Sequence, residues 1–298
     1  MPIDEGVPSP ILALFETFVQ ERRYLQNVSS KTLDWYTCSR RAFQPYLAAV
    51  HSEADLPVQV RKAVMDMAAS GKLAATSIND YARCMNAFLR WLRTEKHVTT
   101  DVRIPKLKTP KKVLDVLSDE QVSRLIAYSP TKRIERRIHA MALLILDTGM
   151  RVDEVLNLRK QDVDLDNLLI KVDKGKGDKQ RIVPCSLALR RSLYRYMKTY
   201  SHAHSDFVFS TTHGTRQTYR NATRALKSIG KKIDAPQIRF HLLRHTFATA
   251  YIRSGGNVVL LRKVLGHSSI STTMIYEHLQ TEDLKSVHHQ HSILALSC

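Results

Sequence analysis

The chain has 298 residues, of which 43% are hydrophobic and 25% charged, and its 46 Lys and Arg against 28 Asp and Glu give a formal net charge of +18. This length suits two domains, and this composition excludes a disordered or fibrous protein. No apolar run approaches the ~18 residues of a membrane span. The excess of positive charge makes a polyanion the expected partner, with nucleic acid first and acidic lipid second.

The first hundred residues have the periodicity of helices separated by short breaks. Apolar residues recur at helical spacing over positions 11 to 19, and Ser30 is a candidate N-cap for a helix that continues to Val50. Ser77 is a candidate cap for a later long helix, on which Arg83 and Arg90 lie seven residues apart. That spacing suits phosphate contacts, but a solvated helix face explains it equally well. The apolar stripe of this helix comprises Ile78, Tyr81, Ala82, Met85, Leu89 and Leu92.

The segment RIPKLKTPKK, residues 103–112, holds five basic residues, two prolines and no acid, a composition typical of a linker. Residues 1–104 contain 13 basic and 11 acidic side chains, so the rest of the chain carries +16 of the +18. We therefore predict a helical domain over 1–104, a basic linker over 105–112 and a second domain over 113–298 that carries most of the positive charge. On DNA, the linker would follow the backbone through Lys106, Lys108, Lys111 and Lys112.

Beyond the linker the pattern is mixed. RRIHAMALLILDTGMRVDEVLNLR predicts an apolar helix that stops at Thr148 and Gly149, followed by a second helix, because glycine just past a helix end turns the chain. LLIKVDKGKGDKQRIVP predicts two short strands around a glycine-containing turn, and the segments after Ser186 are mostly helical again. The predicted fold class is mainly α with a small antiparallel β-sheet (α+β), in two domains.

The stretch RFHLLRHTFATAYIRSGGNVVLLRKVLGHSS is the richest in reactive side chains. On a helix His241, Arg244 and His245 share one face, because they stand at i, i+3 and i+4. Asn257 can cap the next helix, and Gly266 turns the chain at its end. HLLRH has the two-histidine spacing of a zinc protease but lacks its glutamate, so we assign no metal and give His245 an ordinary structural role.

Two other motif-like strings are set aside. GKGDK lacks the spacing of a phosphate-binding Walker loop. DVDLDNLLIKVD imitates a twelve-residue calcium loop, but Asn167 replaces its glycine and Asp173 its glutamate. We interpret this second string as a β-turn that enters the hairpin.

Four cysteines, Cys38, Cys84, Cys185 and Cys298, occur without C-x-x-C pairing, and MPIDEGVPSP does not resemble a secretory signal. We therefore expect reduced thiols, a cytoplasmic location and no membrane partner.

Four strings together resemble the tyrosine recombinase (phage integrase) family in its Xer-like form: TGMRVDEVLNL, GKGDKQRIVP, HLLRHTFAT and LGHSSISTTMIY. They occur in the family's order between Thr148 and Tyr276. The resemblance implies a helical core-binding (SAM-like) domain followed by a catalytic domain. It also implies an enzyme that cleaves and rejoins DNA strands at specific sites through a covalent 3′-phosphotyrosyl intermediate. Such an enzyme acts as a tetramer on two core sites, alone or mixed with a related recombinase, and needs neither metal nor ATP.

Carried over residue by residue, the resemblance makes six positions catalytic: Arg151, Lys176, His241, Arg244, His267 and the nucleophile Tyr276. Glu154 matches an acidic position that supports the pocket in this family.

The chemistry of a phosphodiester asks for the same residue types. Two arginines can hold its charged non-bridging oxygens and stay protonated throughout. A phenol with a pKa of about 10 needs a base such as His241 to become a nucleophile. A lysine in the turn of the hairpin, Lys176, can protonate the 5′ oxygen that leaves. Lys174 and Lys179 are rivals for that role, with phosphate binding as their other interpretation.

Two further classes share much of this pattern. A type IB topoisomerase uses nearly the same residues but relaxes DNA as a monomer. A DNA-binding module that has lost catalysis is the other alternative, although every catalytic position is filled. The C-terminal segment LKSVHHQHSILALSC either docks on a neighbouring protomer, as in the family, or packs on its own domain.

Overall fold

The computed structural model describes residues 10–109, 115–173 and 180–266. The chain divides into two compact units, Met1–Lys112 and Val113–Cys298. Seven residues named in the predictions lie outside the described ranges: Lys111, Lys112, Lys174, Lys176, Lys179, His267 and Tyr276. The C-terminal segment from residue 284 lies outside them too. Within the described ranges, no helix has the length and apolarity that crossing a bilayer requires.

The described part of unit 1 folds into α1 (Pro10–Tyr24), α2 (Ser30–Ala48), α3 (Asp55–Ala69) and α4 (Ala75–Thr94). Its core contains a cluster of three aromatic rings: Phe15, Phe18 and Phe88 are fully buried, and their ring centroids lie 4.7 to 5.7 Å apart. The apolar stripe predicted for α4 is buried, except that Tyr81 is half-buried. Burial of one helix face against the others is what holds this unit together.

Both N-caps predicted in unit 1 are wrong. Ser29 rather than Ser30 precedes α2, and its hydroxyl accepts the N–H of Thr32 at 3.3 Å. Two adjacent serines qualify equally by residue type, so the pattern does not separate them. The later helix, α4, begins at Ala75 without a side-chain cap. Ser77 lies in its first turn, where packing of the apolar stripe decides the helix start.

The chain after α4 turns back along that helix. Asn86 donates to the carbonyl of Ile104 at 2.9 Å and accepts its N–H at 2.8 Å. Asn79 makes the same pair of bonds to Leu107, at 3.0 and 2.8 Å. Residues 105 to 107, which composition assigns to the linker, are therefore held against α4 by its side-chain amides.

Unit 2 is built around α6, which packs against α8, α9 and α10. Its described elements are α5 (Asp119–Ala127), α6 (Arg133–Thr148), α7 (Val152–Asn157), β1 (Val163–Asp164), β2 (Leu169–Val172), β3 (Arg181–Pro184), α8 (Leu187–Thr199), α9 (Tyr219–Lys232), α10 (Phe240–Arg253) and α11 (Val258–Leu265). The predicted helix stop at Thr148 and Gly149 is confirmed. So is the α11 cap, because the Asn257 side chain accepts two backbone N–H groups and Gly266 ends the helix with φ 63°.

The small sheet is antiparallel in the order β1-β2-β3. β2 and β3 are the two predicted strands, with Ile170 opposite Val183. The β-turn interpretation before them is confirmed, since Asn167 donates its N–H to the Asp164 carboxylate at 2.9 Å. This turn also adds β1, a two-residue strand that the hydrophobic pattern is too short to predict.

Candidate active site

Arg151 follows the turn that ends α6 and immediately precedes α7. That turn requires Gly149, because its φ is 65° and an added Cβ would collide with the Phe247 ring and lie 2.8 Å from Leu265. Glu154, in the first turn of α7, accepts the Arg151 N–H at 2.7 Å and its guanidinium at 3.1 Å. The backbone and the side chain of Arg151 are therefore fixed by the same carboxylate.

Arg244 reaches the same turn from α10, and only 6% of it is exposed. It donates to the carbonyl of Gly149 at 2.6 Å and to that of Leu265 at 2.9 Å. Arg151 donates to the next carbonyl, that of Gly266, at 3.0 Å, while 37% of its side chain stays exposed. Because the carbonyls of Leu265 and Gly266 are consecutive in the chain, the structure brings the two predicted arginines together at the C-terminal end of α11.

His241 lies on α10 one turn before Arg244 and is exposed. Partial shielding of its ring from water lowers the pKa of this histidine first, and the charges of Arg244, Arg151 and Arg239 lower it further against an opposing effect of Asp153. The lowered pKa favours the neutral imidazole, which is the form that can accept a proton. Its neighbour His245 is half-buried, with the ring centroids 6.3 Å apart.

The carboxylate of Glu154 is ionised although its side chain is only 9% exposed. Burial raises the pKa of Glu154, but hydrogen bonds and charge from Arg181, then the N–H and charge of Arg151, bring it below its ordinary value. Arg181 Nη1 and Nη2 each bond one carboxylate oxygen at 2.7 Å. The Arg181 Nε donates to the carbonyl of Val264 at 2.8 Å.

Arg181 is a site residue that the sequence analysis missed. It begins β3, where alternation places it on the same face as the buried Val183 and opposite the exposed Ile182. An arginine at an inward position of a strand is the signal that identifies it. Arg181 lies within the string GKGDKQRIVP, but the family resemblance assigned a role only to lysines of that string.

The predicted DNA-contacting arginines of unit 1 line a separate cavity of about 530 Å³ on α4. We call it the basic groove and define it by Arg83, Arg90, Arg103 and Lys106. Arg83 makes an ion pair with Asp80 at 3.3 Å, and all four basic side chains are exposed. Arg103 was not predicted. Lys108 is exposed but does not line this groove.

No metal site is assigned. In the ranges that the structure describes, no group of three His, Cys, Asp or Glu side chains is arranged to hold an ion. A pair of guanidinium groups beside His241 would also repel a cation. The described residues of the site, Arg151, Arg244 and His241, are suited instead to an anion that offers oxygen atoms to a planar guanidinium group.

Comparison with known proteins identifies the family of this chain. Residues 115–283 match the model of the phage integrase family. The chain is 29% identical over 296 residues to tyrosine recombinase XerA of Saccharolobus solfataricus, covering 96% of this chain and 95% of that one. It is 31% identical to tyrosine recombinase XerD of Haemophilus ducreyi, covering 93% and 96%.

The fold is also similar to that of a solved structure of the Tn1549 transposon integrase in complex with a circular intermediate DNA. The TM-score is 0.77 at 17% identity, over 93% of this chain and 99% of that one. Because the identity is so low, this likeness supports only the fold, which has two domains and is mainly helical. With the family match and the two full-length relatives, it follows that this chain belongs to the phage integrase family and is a tyrosine recombinase of the Xer type.

Proposed function

We propose that this chain cleaves and rejoins DNA strands at specific sites through a covalent 3′-phosphotyrosyl intermediate on Tyr276. The observation that carries the proposal is the side-by-side placement of the Arg151 and Arg244 guanidinium groups on consecutive carbonyls, with His241 one turn before Arg244 on α10. Two fixed cations stabilise the negative charge that builds on a phosphodiester during attack, and they do so without reorganising. The position of Tyr276 in this scheme comes from the family resemblance.

The proposed reaction exchanges one phosphodiester bond for another. The Tyr276 oxygen attacks the phosphorus, His241 accepts the phenol proton, and the bond from phosphorus to the 5′ oxygen breaks. Lys176 supplies the proton to that 5′ oxygen, while His267 donates a hydrogen bond to the phosphate. The 5′-hydroxyl of a second strand then reverses these steps, so the bond energy is conserved and the proposal includes neither metal nor ATP.

Double-stranded DNA is the proposed substrate. The net charge of +18 and the exposed cations of the basic groove support it, as does the fold likeness to an integrase solved with DNA. For the groups outside the described ranges, we propose phosphate contacts by Lys111, Lys112, Lys174 and Lys179. From the family resemblance we further propose a tetramer on two core sites, formed by this chain alone or with a related recombinase, in the cytoplasm.

The test is covalent capture. Wild-type protein and Tyr276→Phe are incubated with a library of nicked duplexes of randomised sequence, in which the nick releases a short strand and traps the intermediate. We expect an SDS-resistant complex with wild type only, and sequencing of its DNA gives the core site. No complex with wild type, or equal amounts with Tyr276→Phe, would contradict the proposal. Relaxation of a plasmid carrying the captured site, without recombinant product, would favour a type IB topoisomerase.

A further inference from the structure

Arg181 links three separate segments of unit 2. Its side chain lies on β3, its two terminal nitrogens hold the carboxylate of Glu154 near the start of α7, and its Nε holds the carbonyl of Val264 near the end of α11. Gly266 packs directly on it, because a Cβ at that glycine would lie 3.1 Å from three atoms of the Arg181 side chain.

These contacts close a ring that includes Arg151. From Arg181 the ring passes through Glu154 to Arg151, then from Arg151 to the carbonyl of Gly266, and returns along the end of α11 through Val264 to Arg181. Both bonds that orient the Arg151 guanidinium therefore end on groups that Arg181 holds or packs against. A side chain tied at both ends of a closed ring has few orientations left.

Stability alone is a poor explanation for this pair. Arg181 and Glu154 side chains are each 9% exposed, and a buried ion pair is often no more stable than an apolar pair of similar size. The two hydrogen bonds from Arg181 instead fix the plane of the Glu154 carboxylate, a geometry that an arginine supplies and a lysine does not.

We infer that Arg181 is a positioning residue for strand cleavage: it sets the orientation of Arg151 through Glu154 and the end of α11. This inference rests on the proposed function. It adds a residue outside the six catalytic positions, and it assigns that residue an effect on the rate of the chemical step through Arg151.

A double-mutant cycle tests it in the full-length protein. The variants are Arg181→Lys, Arg151→Lys and the double variant, and the measurement is the single-turnover rate of adduct formation on the nicked duplex recovered by covalent capture, at saturating DNA. We expect Arg181→Lys to slow cleavage about 10²-fold in the wild-type background, the effect of a displaced reacting group. In the Arg151→Lys background the same change should cost less than about threefold, because effects that act through one residue are not additive.

The controls separate positioning from folding. Arg190→Lys makes the same change at an exposed arginine on α8, which pairs with the exposed Asp166 at 3.5 Å, and should leave the rate unchanged. DNA affinity of Arg181→Lys, measured in the Tyr276→Phe background, should stay within about threefold of the parent, since Arg181 acts on the transition state. If Arg181→Lys does not fold, Arg181→Met with Glu154→Gln, which leaves no unpaired buried charge, replaces it in the cycle.

Two outcomes overturn the inference alone: an unchanged cleavage rate in Arg181→Lys, or an equal loss in both backgrounds, which is the behaviour of an independent structural defect. Absence of any adduct with wild type is different, because it would overturn the proposed function and this inference with it.

Discussion

The two units use arginine in opposite ways. In unit 2 Arg244 and Arg181 are nearly buried and donate to carbonyl and carboxylate oxygens at 2.6 to 2.9 Å. In unit 1 Arg83 and Arg90 are exposed, and Arg83 lies 5.0 Å from the Trp35 ring centroid and pairs with a surface carboxylate. A fixed, buried guanidinium can act on a transition state, whereas an exposed one adds attraction for a polyanion. We therefore expect substitutions in unit 2 to change rates and those in the basic groove to change affinity.

Arg244→Ala gives the largest expected effect. It removes one of two guanidinium groups from the proposed phosphate site and leaves the carbonyls of Gly149 and Leu265 without this donor. We expect adduct formation to slow by about 10³-fold, as when a fixed donor to the transition state is lost. The rate is measured under single turnover with captured DNA.

Arg190→Ala is the matched control for Arg244→Ala and should retain the wild-type rate. A loss of affinity without a loss of rate at saturating DNA in Arg244→Ala would break the distinction between the two units.

Arg181→Met should destabilise unit 2, because it leaves the Glu154 carboxylate buried without its main partner. Removing one member of a buried pair costs about 3 to 5 kcal/mol. The measurement is urea unfolding followed by helical circular dichroism, since both tryptophans, Trp35 and Trp91, report on unit 1.

Adding Glu154→Gln to Arg181→Met should recover much of the lost stability, since the remaining partner no longer carries a charge. Equal destabilisation in the single and double variants would show that packing, and not the unpaired carboxylate, dominates at this position.

The pH dependence of cleavage tests the electrostatic surroundings of His241. The pKa of His241 is lowered from its ordinary value, so the neutral form that can act as the base is favoured. The rate should fall about tenfold per pH unit only below that lowered pKa, as the imidazole becomes protonated. Arg239→Gln removes one of the charges that lower the pKa and should move this acid limb to higher pH. An acid limb that stays in place in Arg239→Gln would contradict the assignment of His241 as the base.

Arg90→Gln and Arg103→Gln should have the smallest effects. Each removes an exposed cation of the basic groove, so we expect a loss of a few-fold in DNA affinity and a decrease of about 1 in the slope of log affinity against log salt concentration. Cleavage at saturating DNA should not change. Arg61→Gln, an exposed position on α3 outside the groove, is the control, and an equal change in its salt slope would remove the special role of the groove.

Sequence patterns predicted the parts of the fold that depend on local chemistry. The stop at Gly149 and the cap at Asn257 follow from backbone conformation and short-range hydrogen bonds, and both are present. The start of α4 is not capped by a side chain, so no residue type at that position identifies it. This is why Ser77 was misplaced.

The candidate site shows the same limit. Motif spacing identified Arg151 and Arg244, which the structure brings together. Strand alternation marks Arg181 as an inward arginine, but its partners lie 27 and 83 residues away in the chain, and no local pattern identifies them. Likewise, the amide bonds from Asn79 and Asn86 to the segment after α4 span 28 and 18 residues, so composition alone does not predict them.

The carbonyls that hold Arg244 come from the ends of two helices. α6 ends beside Gly149 and α11 ends at Leu265, and each helix ends in a glycine of left-handed conformation. The aligned peptide groups of a helix place a partial negative charge of about half an electron at its C-terminus. Two such macrodipole ends facing one guanidinium offset much of the cost of burying it, so the arginine can be held ready before any nucleic acid arrives.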